Sequence, residues 1–137
     1  MIWCVQTSCA GVRVRRSGRQ IVAADFVNHE AEDDPDDDER GQIGPAGFLA
    51  TAAWLRAAFE DLHFEPAETA VDGGTVLAAC TMTGRHTGAF QGIEPTGRRF
   101  AQSQVHIFTT RGGQITSHRA VRDDLGLLLQ LGWRPRG

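Results

Sequence analysis

With 137 residues, 41% of them hydrophobic and 23% charged, the chain has the size and composition of one soluble globular domain, long enough to bury a core without disulfide or metal staples. A net charge of −3 supplies no basic field for nucleic acid, and no apolar run approaches the ~18 residues that cross a bilayer. Nucleic-acid and membrane partners are therefore not expected.

The opening "MIWCVQTSCAGVRVRR" places its arginines after its apolar stretch, the reverse of a secretory signal, so a cytoplasmic location is expected. Residues 1 to 20 show no clear periodicity and no clean helix cap. Cys4, Cys9 and Cys80 are odd in number and lack metal-ligand spacing, which points to reduced thiols and no bound metal. "RQIVAADFVNHE" suits a short helix running into an extended segment that ends at Asn28 and His29. The acidic stretch that follows, 30 to 44, reads as a solvated loop, because like charges repel and are costly to bury. It lacks the spaced oxygen ligands, turn glycine and late glutamate of a calcium loop.

In "AGFLATAAWLRAAFEDL" the residues Phe48, Ala52, Leu55, Ala58, Phe59 and Leu62 recur at steps of three and four, the mark of an amphipathic helix with one buried stripe. Trp54 lies at the edge of that stripe or in a pocket wall. Strands are predicted over 63 to 71, 75 to 84, 98 to 110 and 114 to 123, with Gly73-Gly74 and Gly112-Gly113 as hairpin turns. "DLGLLLQLG" makes a short last helix. Helices first and a meander afterwards indicate an α+β domain with helices packed on one face of a sheet, a geometry that encloses a small-molecule pocket.

Strand alternation places Gln104, His106 and Phe108 on one face of "AQSQVHIFTT". In "TSHRAVRDD" it groups Arg119, Val121 and Asp123 against His118, Ala120, Arg122 and Asp124. Paired through the Gly112-Gly113 turn, His106 and Asp123 would face one cavity. A histidine and a carboxylate converging there suit acid–base chemistry, since burial and mutual charge tune both. A strand histidine also serves as a hydrogen-bonded structural residue, and Asp123 or Asp124 would cap the last helix, one capping while its neighbour points inward. No nucleophile elbow, P-loop, HExxH or dinucleotide-binding glycine pattern is present.

"FVNHEA", "GFLATAAWLRAAFEDLHFE", "GRHTGAFQGIEPTGRRF", "VHIF" and "AVRDDLGLLLQLG" together resemble the SnoaL-like polyketide cyclase family, also called ester cyclases, of the NTF2-like superfamily, over about residues 24 to 133. The resemblance implies a cone-shaped α+β barrel, its curved antiparallel sheet carrying helices on the concave face. It also implies a homodimer through the sheet, an internal pocket for a small-molecule substrate, and no cofactor. By position Asp123 is the acid/base of an intramolecular aldol closure of a polyketide ester, and His106 its pocket partner. Gln104, His29, Phe108, Trp54, Arg119 and His86 form the expected substrate-binding set. Arg119 stands where family members commonly carry tryptophan, and the first twenty residues differ from the usual opening helix. The segment from Thr83 to Phe100 would be two strands joined at the mouth of the cone, with Phe90 and Ile93 closing over the cavity. A non-catalytic binder of an apolar ligand and an epoxide hydrolase are the alternatives on this fold; the latter needs a strand carboxylate that "SQVHIF" lacks.

Overall fold

A computed structural model of the chain describes residues 21–31 and 39–137. The opening segment, with Cys4 and Cys9, and most of the acidic run lie outside the described residues. Five strands and two helices follow: β1 (Val22–Asn28), a 3-10 turn (His29–Ala31), α1 (Pro45–Ala58), β2 (Phe59–Asp72), β3 (Thr75–His86), β4 (Arg99–Arg111), β5 (Gln114–Arg122) and α2 (Asp124–Gln130). Among the described residues no helix is long and apolar enough to cross a bilayer.

The strands form one curved open sheet in the order β1-β5-β4-β3-β2. Four strands run antiparallel, joined by the expected Gly73-Gly74 and Gly112-Gly113 hairpins. The sheet is mixed rather than purely antiparallel, because β1 joins β5 in parallel, with Val27 against Ser117 and Asn28 against His118. This pairing also overrides the short helix expected before Asn28: Val22, Ala23, Phe26 and Asn28 are buried along an extended strand, where edge hydrogen bonds and apolar burial outweigh local propensity.

Helix α1 starts at Pro45, whose missing N–H costs nothing in a first turn. It ends at Ala58, four residues before the expected stop at Leu62, and the backbone turns extended at Phe59. Phe59 pairs with His86 and Glu60 with Arg85, and the Phe59 ring lies 4.8 Å from Phe90 and 4.7 Å from Phe100. Aromatic packing with strand pairing thus takes this residue from the helical stripe. One core cluster joins Leu55, Phe64, Met82, Phe100, Leu127 and Leu131 between both helices and the sheet. A second gathers Val22, Phe26, Val76, Phe108 and Ile115 at the other end. Between them the inward face of β4 and β5 turns polar.

Candidate active site

That polar stretch lines a cavity of about 650 Å³. Buried residues alternate along β4 from Phe100 through Gln102, Gln104, His106 and Phe108, so three polar side chains stand in one row with an aromatic at each end. Opposite them on β5 the register is Gln104↔Arg122, His106↔Ala120 and Phe108↔His118. Directly opposed residues share a face, which puts His118, Ala120, Arg122 and then Asp124 on the cavity side. The expected grouping was the other one. An uninterrupted hairpin from Arg111↔Gln114 and Thr110↔Ile115 would set Arg119 opposite His106. A bulge lies there instead: the next pair is Thr109↔Ser117, leaving Thr116 as an extra residue. A register slip of one residue moves every later side chain to the opposite face.

The inward groups form an unbroken line of hydrogen bonds. Asp124 Oδ1 accepts from Gln102 Nε2 at 2.9 Å, Gln102 Oε1 from Gln104 Nε2 at 2.7 Å, and Gln104 Oε1 meets His106 Nε2 at 2.7 Å. His106 Nδ1 lies 2.8 Å from His118 Nε2, and His118 Nδ1 lies 3.0 Å from Asn28 Oδ1. Asn28 Nδ2 continues to Thr51 Oγ1 on α1 at 3.2 Å. The rings of His106, Phe108 and His118 stack, with centroids 5.0 to 5.9 Å apart. Burial, then the neighbouring His118 and Arg122, lowers His106 to about 3. Burial, then Arg122 and His29, lowers His118 to about 4. Both imidazoles are neutral at neutral pH.

Among the described residues two carboxylates line the cavity, Glu30 and Asp124. Glu30 Oε1 takes the backbone N–H of Ala120 and its Oε2 lies 3.1 Å from Arg122. Both oxygens are thereby engaged. Asp124 Oδ1 receives Gln102 and, at 3.3 Å, Arg122 Nε, while its Oδ2 accepts no hydrogen bond from the described residues. The Asp123 carboxylate is absent from the cavity wall. It caps α2, accepting from Gly126 N at 2.9 Å.

Of the expected site residues, the structure brings together His106, Gln104 and Trp54 at the cavity. Trp54 lies under the Arg40 guanidinium, 3.9 Å above its ring, and 5.2 Å from Phe90. Phe108 is buried behind His106 and supports it without lining the cavity. His29 is exposed in the 3-10 turn, and Arg119 is exposed on the outward face of β5; neither lines it. His86 is fully buried away from it, its Nδ1 accepting from Thr96 N and bonded to Thr96 Oγ1 at 3.0 Å. It anchors the loop from Thr87 to Arg98 rather than touching a substrate. In that loop Phe90 is bridged to Ile93, and of the two residues expected over the cavity Phe90 stands in its wall, beside Gln91, while Ile93 does not. At its base Gly88 donates to Ala58 O, and a Cβ there would stand 1.9 Å from Ala57 O. Only glycine permits this approach.

Sequence reasoning missed Asn28, Glu30, Gln102, His118 and Arg122 as site residues, and left open which of Asp123 and Asp124 points inward. The step of two from Gln102 through Gln104 to His106 was a legible signal for the first glutamine. Nothing local marks the bulge that turns His118 inward. Among the described residues no group of three His, Cys, Asp or Glu side chains is placed to hold a metal ion.

Comparison with known proteins agrees with this architecture. Aklanonic acid methyl ester cyclase DnrD of Streptomyces peucetius is 40% identical over 101 residues, covering 67% of this chain and 70% of its own. Aklanonic acid methyl ester cyclase DauD of Streptomyces sp. strain C5 is 34% identical over 134 residues, covering 90% and 83%. The structure of TsrD from Streptomyces laurentii superposes with a TM-score of 0.71 at 27% identity, over 82% of this chain and 78% of that one. Residues 13–131 match the family model described as SnoaL-like polyketide cyclase, and the chain belongs to the SnoaL-like polyketide cyclase family.

Proposed function

We propose that the protein closes a ring in a polyketide acid methyl ester by an intramolecular aldol reaction, with Asp124 as the acid/base. The substrate class is suggested by relatives named as aklanonic acid and nogalonic acid methyl ester cyclases. The observation that carries the reading is one carboxylate in the wall of a 650 Å³ cavity, with one oxygen held by Gln102 and Arg122 and the other accepting nothing from the described residues. Asp123, the expected base, gives way to it because its own carboxylate is committed to the Gly126 amide.

Asp124 removes the proton from the carbon between ester and ketone carbonyls. The enolate carbon attacks a second carbonyl carbon, a C–C bond forms, and the new alkoxide takes the proton back from Asp124. Substrate and product are isomers, so no co-reactant is consumed. Gln104 is the donor placed to orient the developing enolate: one amide hydrogen serves Gln102, while among the described residues the other acceptor at its nitrogen is the weak Met82 thioether at 3.5 Å. His106 accepts no charge and fixes Gln104 from behind. A preset donor of this kind stabilises charge where it develops.

Turnover of a polyketide acid methyl ester by Asp124→Asn and Asp123→Asn tests the assignment. Asp124→Asn is expected to lose about two to four decades in kcat with its circular dichroism unchanged, and Asp123→Asn to stay near the parent. Parental turnover by Asp124→Asn would remove Asp124 from the reaction.

A further inference from the structure

Among the described residues two that are not glycine hold a positive φ, Asp61 at 52° and Gln91 at 49°. Aspartate tolerates that region better than most side chains, and Asp61 sits in an irregular stretch of β2 outside the cavity wall. Glutamine has no such tolerance. Gln91 is followed by Gly92 at 75°, and the bonds from Phe90 N to Ile93 O at 3.0 Å and from Ile93 N to Phe90 O at 2.9 Å close a two-residue hairpin around them. Positive φ at both central positions is the mark of a type I′ turn. Its second position here carries the glycine that such a turn favours, but its first prefers asparagine, aspartate or glycine, and glutamine is strained there.

The rest of the loop fixes the turn without help from the side chain of residue 91. Gly88 N donates to Ala58 O at 2.9 Å and Gly97 N to His86 O at 2.8 Å, while the Phe90 ring lies 4.8 Å from Phe59 and 5.2 Å from Trp54. Phe59 in turn lies 4.7 Å from Phe100, the inward residue of β4 next to Gln102. The turn therefore stands at the end of the cavity where Gln102 meets Asp124. Gln91 is exposed and also lines the cavity, which places it at the opening. Backbone strain that contributes nothing to packing is the kind kept at functional sites.

We propose that Gln91 is a specificity-determining residue that touches the substrate, its carboxamide hydrogen-bonding a carbonyl or hydroxyl oxygen of the polyketide ester at the Asp124 end of the cavity. The inference rests on the reading of the cavity as the site of an ester cyclase. A primary amide offers two donors and an acceptor without charge, so it engages ester and ketone oxygens without disturbing the balance of Arg122, Glu30 and Asp124 in the same wall. The strained turn is what presents it there, because a hairpin of negative φ splays its two flanks. Asparagine relieves the turn but is one methylene shorter. Reach over the cavity is therefore what glutamine adds.

Two variants of the full chain separate the turn from the contact. Gln91→Gly removes both the strain and the carboxamide: it should melt about 3 °C above the parent and bind the ester about three- to tenfold more weakly, the usual worth of one hydrogen bond. Gln91→Leu keeps the volume and the strain, so it should melt with the parent and lose the same affinity, with kcat within about twofold of the parent's. Affinity is read from the quenching of tryptophan fluorescence on rapid mixing with a polyketide acid methyl ester, and product from the same mixture at later times. Gln91→Leu that binds as tightly as the parent overturns the contact, and Gln91→Gly that melts no higher than the parent overturns the strain that points to it. A parent that binds the ester and forms no product removes the aldol reading, while weaker binding by Gln91→Leu in that case still upholds the contact. A parent that does not bind the ester overturns both.

Discussion

The Gly126 amide holds the Asp123 carboxylate at 2.9 Å, and a Cβ on Gly126 would stand 2.1 Å from Asp123 Oδ2. The cap and the glycine are thus one device: aspartate satisfies an otherwise open amide of the first turn, and glycine leaves room for its carboxylate. Asp123→Ala is expected to cost about 1 kcal/mol of stability, the usual worth of such a cap, with turnover retained. Gly126→Ala should destabilise as well, because a methyl group displaces the carboxylate that makes the cap. Thermal melting of both variants checks this, and a Gly126→Ala protein as stable as the parent would contradict the steric reasoning. Both aspartates were visible in the sequence, as was the division of labour between a capping and an inward residue. Which is which depended on the strand before them.

That strand, β5, is where local legibility stops. Alternation along β4 correctly groups Gln104 with His106, and the two glycine pairs mark the hairpins. The extra residue at Thr116 leaves no signature in composition, yet it decides that His118 meets His106 and that Arg119 does not. The α1–β2 junction failed for a related reason: Phe59 fits the helical stripe, but its partners Phe90 and Phe100 come from a loop and a distant strand.

The β4–β5 histidine pair also makes stability depend on pH. Both folded values are depressed, to about 3 and about 4 from 6.5, so the folded state favours the neutral imidazoles. Their contribution is fully present above pH 6.5 and is lost as pH falls toward the folded values. Between about pH 6 and 4 the unfolded chain binds up to two more protons at this pair than the folded chain, so stability falls by as much as about 2.7 kcal/mol per pH unit. His118→Phe removes one of the two titrating imidazoles and should roughly halve that slope. Denaturant unfolding of both proteins across that range measures the difference; equal slopes count against the depressed imidazoles.

At the scale of the whole molecule, the sheet has two faces of unlike character. The inner one carries the cavity. On the outer one, Val105 pairs with Val121 and Ala79, so an apolar row crosses β3, β4 and β5, and beside it Ile107 pairs with Leu77 on one side and the exposed Arg119 on the other. Val121 is 68% exposed and Leu77 38% exposed within a single chain. The family resemblance had implied this face as a homodimer contact, and the physical case is that a contiguous exposed apolar patch on a sheet marks an interaction surface. A second copy is the occupant expected, since a sheet face crossed by a two-fold axis presents the same row to itself. The cavity wall is built from the opposite face, so pairing through this row leaves the line from Asp124 to Asn28 intact in each subunit. Light scattering at micromolar concentration should give twice the 14.9 kDa chain mass. Val121→Lys places a charge at the β5 end of the row, on its most exposed residue, and should return the mass to that of one chain. A parent that scatters as a single chain at that concentration would show that this face is covered by something else or by nothing.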